Sequence, residues 1–376
     1  MRLNTWVEIS QSALIHNLKQ FRKIIGSKVR LLVSIKANAY GHGLVEVAKL
    51  AASNGADWFG VNSLAEAKIL RDNKITKPIL ILGYIQLKQL QILSKLKNIS
   101  LVVYNEATIK KLGQINSIFK IHLKLETGTN RQGINPDNIL DFITLIKKYG
   151  NIKIEGFYTH FANIEDTLKH SYALSQLKIF NKTVELLKKR KIKIPIIHAA
   201  CSAATILHKE THFDLVRPGI SVYGLWSSPE TQLSAKRKKK SINIKPVLSW
   251  KSIVAQVKEV KKDSSIGYGC AEKVFRDSKI AVIPVGYWDG FDRGLSNIGN
   301  VIIKNQRVKV MGRVCMNMFM VDVTDIKNVM PEDEVVLLGR QGQEEVTAEE
   351  IAQKLGTINY EVITRINPLI SRKVVR

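Results

Sequence analysis

Eight short apolar runs alternate with amphipathic stretches over the first two-thirds of the chain, which predicts an α/β architecture, a (β/α)8 barrel of the TIM type. Closely spaced β-like runs near the C-terminus predict a mostly β second domain. The pattern breaks after Ser227, which separates the two. The reading is a barrel domain over 1–235 and a second domain over 236–376, with the first few residues free to pair with the second domain.

The elements follow in order. A helix comes first: Ser10 or Ser12 can cap it, and Leu14, Leu18, Phe21 and Ile25 share one face. Strand candidates then run over 31–35, 58–61, 79–82, 101–104, 121–125, 154–158, 195–198 and 220–223. Between them apolar residues recur at helical spacing, as in Leu44, Val47 and Leu50, or Ile139, Leu140, Ile143 and Ile146, or Leu177, Phe180, Val184 and Leu187. Residues 228–246, polar, basic and flanked by Pro229 and Pro246, read as a linker. Beyond it, 249–260, 279–285, 300–303, 307–311, 318–323 and 334–338 read as strands. One convincing helix, 348–355, is capped by Thr347 with Glu350 three residues on.

Composition narrows the class. Of 376 residues, 45% are hydrophobic and 24% charged, enough apolar material for a core, so wholesale disorder is excluded. No run approaches about 18 apolar residues, so no membrane span is expected. Residues 1–10 lack the apolar stretch of a secretory signal. Cys201, Cys270 and Cys315 are odd in number and far apart, which argues against disulfides and zinc and for a cytoplasmic protein. The net charge of +26 raises nucleic acid as a partner. The lysines are spread along helices, however, with one block at 236–240 and no nucleic-acid-binding motif, so diffuse surface charge is the reading, with no nucleic-acid and no membrane partner.

Function in such a barrel collects where strands end. Lys36 stands flush against the first strand in Ser34-Ile35-Lys36-Ala37-Asn38-Ala39-Tyr40-Gly41-His42-Gly43. Desolvation depresses a lysine's pKa and makes it a nucleophile towards aldehydes. Other strand ends carry Glu126 through Arg131, then His160, then His198 with Cys201 and Ser202. Ahead of the eighth candidate comes Arg217-Pro218-Gly219. Ser202 and Gly219 suit a phosphate seat on loops where such barrels commonly hold one.

The segment 33–43 closely resembles the cofactor-lysine motif of the alanine racemase family, fold-type III pyridoxal 5'-phosphate enzymes, and the likeness runs over essentially the whole chain. The resemblance implies that Lys36 holds the cofactor covalently. It implies that Tyr40, Ser202, Gly219, Ile220 and Tyr360 contact its phosphate. Arg217 would face the pyridine nitrogen, where a guanidinium, always charged and donor-only, makes the ring a weaker electron sink than a carboxylate would. His160 and His198 would hold that network in orientation. Racemisation needs a base on each face. Lys36 serves one, and Ile266-Gly267-Tyr268-Gly269 matches the family's second base, Tyr268, reaching the site from the partner of a homodimer. Arg131, and the backbone of Met316 in the partner-chain segment Val314-Cys315-Met316, would hold the substrate carboxylate, and Tyr287 would narrow the entry. Lys124, seven positions before Arg131, matches a lysine carbamylated in many relatives, and strand alternation turns it into the barrel. The implied role is supply of D-alanine from L-alanine for peptidoglycan.

Three positions depart from the family. Asn317 stands where Asp is usual, Glu126 where Asp is commoner, and Cys201 where Asn is commoner. Asn317 leaves strict choice of alanine over serine open, since a pocket discriminates weakly against an added hydroxyl. A non-catalytic cofactor carrier would lack the second domain and Tyr268, and a decarboxylase of this fold type would carry a carboxylate in place of Arg217.

Overall fold

The computed structural model describes residues 4–239 and 242–376. The chain divides into two units: 13–39 with 47–245, and 4–12 with 40–46 and 246–376. Lys240, the end of the basic block, lies outside the described residues.

In the first unit eight parallel strands pair side by side: Arg30–Ser34, Trp58–Val61, Ile79–Ile81, Ile99–Val103, Phe119–Lys124, Ile152–Tyr158, Ile196–His198 and Leu215–Val216. The eighth returns to pair with the first, Arg30 opposite Leu215. Between the seventh and eighth, the Asp214 amide donates to the Ile197 carbonyl (3.0 Å) and the Arg217 amide to that of Ala200 (2.9 Å), so the barrel is nearly closed. Seven strands send Leu32, Trp58, Leu80, Val102, Tyr158, Ile196 and Leu215 into one interior cluster. The fifth contributes buried His122 and Lys124 instead, the polar side of an otherwise apolar core. The leading helix spans Gln11–Ile25 and buries Leu14, Leu18, Phe21 and Ile25, as the spacing predicts.

The eighth strand is not 220–223. It is Leu215–Val216, and Ile220–Tyr223 is a 3-10 turn that ends on Gly224 in the left-handed conformation (φ 82°). Pro218 lacks the N–H a strand needs, and buried apolar residues look alike in strand and turn. Nor is 228–246 only a linker. Pro229–Arg237 is a helix whose cap, Ser228, accepts from the Thr231 amide, a serine–proline start that the basic composition obscured.

In the second unit one sheet runs in the order Gln256–Val260, Ser278–Ile283, Phe319–Asp322, Gln306–Met311, Asn300–Ile303, Glu334–Gln341, Leu248–Ile253, Thr5–Ser10, Arg372–Val375. The run 249–260 is thus two strands. Thr5–Ser10 pairs antiparallel with Leu248–Ile253 and parallel with Arg372–Val375. Helix Ala348–Leu355 starts where Thr347 accepts from the Glu350 amide and stops at left-handed Gly356.

Candidate active site

Lys36 follows the first barrel strand at once, and the backbone beyond it is unusual. Ala37, Asn38, Ala39 and Tyr40 all have φ near 54°, a left-handed turn built without glycine. Each such residue costs roughly 1–2 kcal/mol, so the surroundings must impose the turn. Glu66 does part of this. Its Oε1 accepts from the Ala37 amide (2.7 Å), and its Oε2 from the amides of Asn62 (2.7 Å) and Ser63 (3.1 Å). Burial, and then the nearby Arg131 cation, hold the Lys36 ammonium below its ordinary pKa. The neutral amine is the form that attacks a carbonyl.

Four cations share this barrel mouth. Lys124 is buried, its Nζ 3.4 Å from Gln132 Oε1. Burial, then Arg131 and Arg217, bring its pKa down to about 8. Arg131 itself is exposed, on the loop after the fifth strand. Glu126 shapes that loop by accepting the amides of Gly128 (2.7 Å) and Thr129 (2.6 Å) at Oε1. Those backbone bonds outweigh the effect of burial and hold the carboxyl low. The glutamate that departs from the family pattern is thus fully used as a carboxylate. Thr129 Oγ1 donates to the His160 carbonyl (2.7 Å), tying the Arg131 loop to the His160 loop. Burial and the surrounding cations keep the His160 ring neutral, well below its usual pKa.

Arg217 is buried. Its Nη2 donates to the carbonyls of Thr159 (2.9 Å) and Ala199 (3.0 Å), and Nη1 lies 2.5 Å from His198 Nδ1. Its Cζ sits 4.9 Å from the centre of the Tyr158 ring, which is stacked on His198 at 4.7 Å and 3°. Burial brings the arginine down to about 10, still a cation at neutral pH. The sequence reading missed Tyr158 as the platform beneath Arg217 and His198. The alternation that turns Lys124 inward, applied to the sixth strand, would have found it.

The phosphate seat forms on loops seven and eight. Ser202 Oγ accepts from the amides of Gly219 (2.9 Å) and Ser221 (3.5 Å), which leaves its own proton for another acceptor. Ser221 Oγ is fully buried and has no partner among the described residues. An orphaned hydroxyl beside Ser202, with Ile220 between it and Gly219, fits a ligand of several acceptor oxygens such as phosphate. Ser221 is an addition to the sequence-derived set. Cys201, next to Ser202, has its thiol pushed up to about 12, by burial and then Glu165, so it is inert as a nucleophile.

The second unit gathers the other candidates in two places. Tyr40 and Tyr360 face each other with ring centres 6.0 Å apart. Tyr360 sits on helix Asn359–Thr364, against which Gly41 packs so closely that a Cβ would lie 2.1 Å from the Ile363 carbonyl oxygen. Elsewhere the Tyr287 amide donates to the Cys315 carbonyl (3.1 Å) and that of Trp288 to Met316 (3.0 Å), joining the 286–290 and 314–318 turns. Tyr268 stands on a tight turn between left-handed Gly267 and Gly269, and a Cβ on Gly269 would meet Arg313 at 2.7 Å. Tyr268 is 74% exposed, Met316 56% and Tyr287 43%.

Both units have counterparts among known proteins. Residues 9–227 match the model of the alanine racemase N-terminal domain, and 247–374 that of the alanine racemase C-terminal domain. The chain belongs to the alanine racemase family. It is 42% identical to the alanine racemase of Methanococcus maripaludis, over 98% of this chain and 97% of that one. The Leptospira interrogans alanine racemase is 39% identical over 99% and 96%. The solved Clostridium difficile alanine racemase superposes with a TM-score of 0.92 at 32% identity, covering 100% of this chain and 96% of that one. The Bacillus anthracis enzyme, solved with L-Ala-P bound, gives 0.93 at 33% over the same shares. A C-terminal-domain match sets the chain apart from a single-domain, non-catalytic carrier. It is an alanine racemase-type enzyme, and no helix among its described residues is long and apolar enough to cross a membrane.

Proposed function

We propose that this enzyme interconverts L- and D-alanine with two bases, Lys36 and Tyr268, around pyridoxal 5'-phosphate, in a homodimer whose sites each combine two chains. The observation that carries the reading is the barrel mouth, where a lysine of depressed pKa, a donor-only Arg217 and the unsatisfied Ser221 hydroxyl beside Ser202 are gathered. The cofactor, when bound, would supply an aldehyde carbon and a ring that withdraws electrons and so acidifies the substrate Cα–H.

The chain's residues account for the rest. Lys36 would hold the cofactor and, once released by substrate, move a proton at one face of Cα. Ser202, Ser221, Gly219 and Ile220, with Tyr40 and Tyr360, would seat the phosphate. Arg217, locked by two carbonyls and His198, would present an N–H to the ring nitrogen and leave it unprotonated, which restrains charge build-up on the ring. His160 and His198 would keep this network oriented. Arg131 would clamp the substrate carboxylate with the backbone of the partner subunit's Met316. Lys124, half neutral near pH 8, is suited to carbamylation, since the neutral amine attacks carbon dioxide and the carbamate would answer Arg131 and Arg217. The partner subunit's Tyr268 would serve the opposite face of Cα, with Tyr287 narrowing the approach. The exposure of Tyr268, Met316 and Tyr287 in one chain supports a second chain covering them. The product would supply D-alanine for peptidoglycan, in the cytoplasm.

Chirality of alanine and of serine after incubation with cofactor-loaded protein tests the reading. Both alanine enantiomers should reach an equal mixture, and serine should turn over more slowly. No change in either amino acid would contradict it. Borohydride should fix the cofactor to a peptide within residues 31–43.

A further inference from the structure

We infer that Glu155 is a positioning residue for Arg217, acting across the barrel interior through His122 and His198. The contacts have a single direction. Arg217 carries only donors, so His198 Nδ1, 2.5 Å from Nη1, must accept. His198 then holds its proton on Nε2, which lies 2.8 Å from His122 Nδ1, and that nitrogen accepts in turn. His122 therefore holds its proton on Nε2 and aims it at Glu155 Oε2, 3.4 Å away. Glu155 ends the series as a pure acceptor. Its Oε2 also takes the Ser100 hydroxyl, and its Oε1 pairs with Lys120 Nζ at 2.9 Å. Reversing either ring would set donor against donor at Arg217, or acceptor against acceptor at Glu155.

The backbone is built for this series. The fifth and sixth strands pair Ile121 with Ile154 and then His122 with Gly156, so Glu155 is the extra residue of a β-bulge. A bulge re-aims a side chain, and parallel bulges are rare. Gly156 is equally specific: a Cβ there would lie 2.1 Å from His122 Nδ1, so only glycine leaves room for the ring. Burial keeps both imidazoles neutral, and the His122, Ser100 and Lys120 hydrogen bonds more than reverse the effect of burial on Glu155, holding it at about 2. Among the described residues no carboxylate bonds Arg217 directly. Glu155 is the carboxylate at the far end of the series, connected to Arg217 through two polarised rings.

The effect on rate rests on the proposed role of Arg217, but the ring tautomers do not. The test is nitrogen NMR on the holoenzyme labelled at histidine, with assignment by His122→Asn and His198→Asn. In the native enzyme both rings should show the neutral form protonated at Nε2. In Glu155→Gln, whose neutral amide oxygen is a weaker acceptor for the His122 Nε2–H than the carboxylate, the form protonated at Nδ1 should appear at His122. The kcat of that variant should fall by an order of magnitude, up to about 10²-fold. KM for alanine should stay within about twofold, because ground-state binding is untouched. Glu155→Asp should recover part of kcat. Ser100→Ala, which keeps the charge and removes a competing donor, should leave both tautomers native, and the Glu155→Asp readouts serve if the glutamine variant does not fold. Native tautomers other than these, or a Glu155→Gln enzyme with unchanged tautomers and kcat, would overturn the inference. So would loss of kcat only in step with melting temperature, with Asp no better than Gln. A native enzyme with the expected tautomers but no racemase activity would instead count against the proposed function.

Discussion

The two groups of candidate residues are held in opposite ways. Those of the barrel sit at or just beyond strand ends, and all but the exposed Arg131 are buried or half-buried, where desolvation and neighbouring cations shift Lys36, Lys124, Arg217 and the histidines from their ordinary values. In the second unit Tyr268, Met316 and Tyr287 stand on exposed turns, the last two held by backbone hydrogen bonds and by the side chains of Asp289, Ser296 and Asn367. Burial has already tuned the first group. The second has its geometry but not its environment, which a covering chain would provide. The contrast predicts that barrel changes alter chemistry within one chain, whereas changes at the turns act through a partner.

The largest expected effect is at Lys36. Lys36→Ala should lose covalent cofactor and cut racemisation by up to about 10⁴-fold, the upper range for one acid–base group, read by chirality assay and borohydride labelling. Activity within tenfold of native would mean another group does its work. Mixing Lys36→Ala with Tyr268→Phe chains sharpens the contrast directly. Half the dimers would be mixed, each with one intact site, so up to about a quarter of native activity should return. No recovery despite proven subunit exchange would mean each chain completes its own site.

Smaller effects concern the buried charges. The folded Glu155 carboxyl sits at about 2 against an ordinary 4.5. Its stabilisation is therefore present above about pH 4.5 and is lost as pH falls towards 2. Glu155→Gln should destabilise by up to about 3 kcal/mol at pH 7 and by little near pH 2.5, read by denaturant titration. Lys124 works in the other direction. Its folded pKa of about 8, against 10.5, means the unfolded chain binds more protons between those values, so stability rises with pH across that window. Lys124→Met should stabilise the bicarbonate-free protein at pH 7, by up to about 3 kcal/mol, and the gain should vanish by about pH 10.5. A gain independent of pH would mean that packing, not charge, is responsible.

Much of the barrel was legible because each strand is a short apolar run and the functional residues end one, as Lys124 and His198 do, or come just after one, as Lys36, Glu126 and His160 do. The eighth strand was misplaced because two residues suffice for it, and the longer apolar run belongs to a buried turn. The helix after Ser228 was hidden by its charge, although its serine–proline start was readable. Glu155 was invisible for a geometric reason. In an unbroken strand it alternates with Gly156 and Tyr158 and would face away from His122, and only the bulge brings it round. Tyr268 between two glycines is an ordinary turn residue by pattern, and family resemblance alone singled it out.

The most direct test follows from stereochemistry. The Cα–H bond must stand perpendicular to the cofactor plane to break, and L- and D-alanine held by one carboxylate clamp present it to opposite faces. Tyr268→Phe keeps the ring and removes the acid. Racemisation should fall by about 10²-fold or more, with cofactor binding nearly unchanged. In deuterated water this variant should still exchange the α-proton of D-alanine through Lys36, at a reduced rate, and hardly exchange that of L-alanine. Equal residual exchange from both enantiomers would contradict the division of labour between the barrel lysine and the second-domain tyrosine.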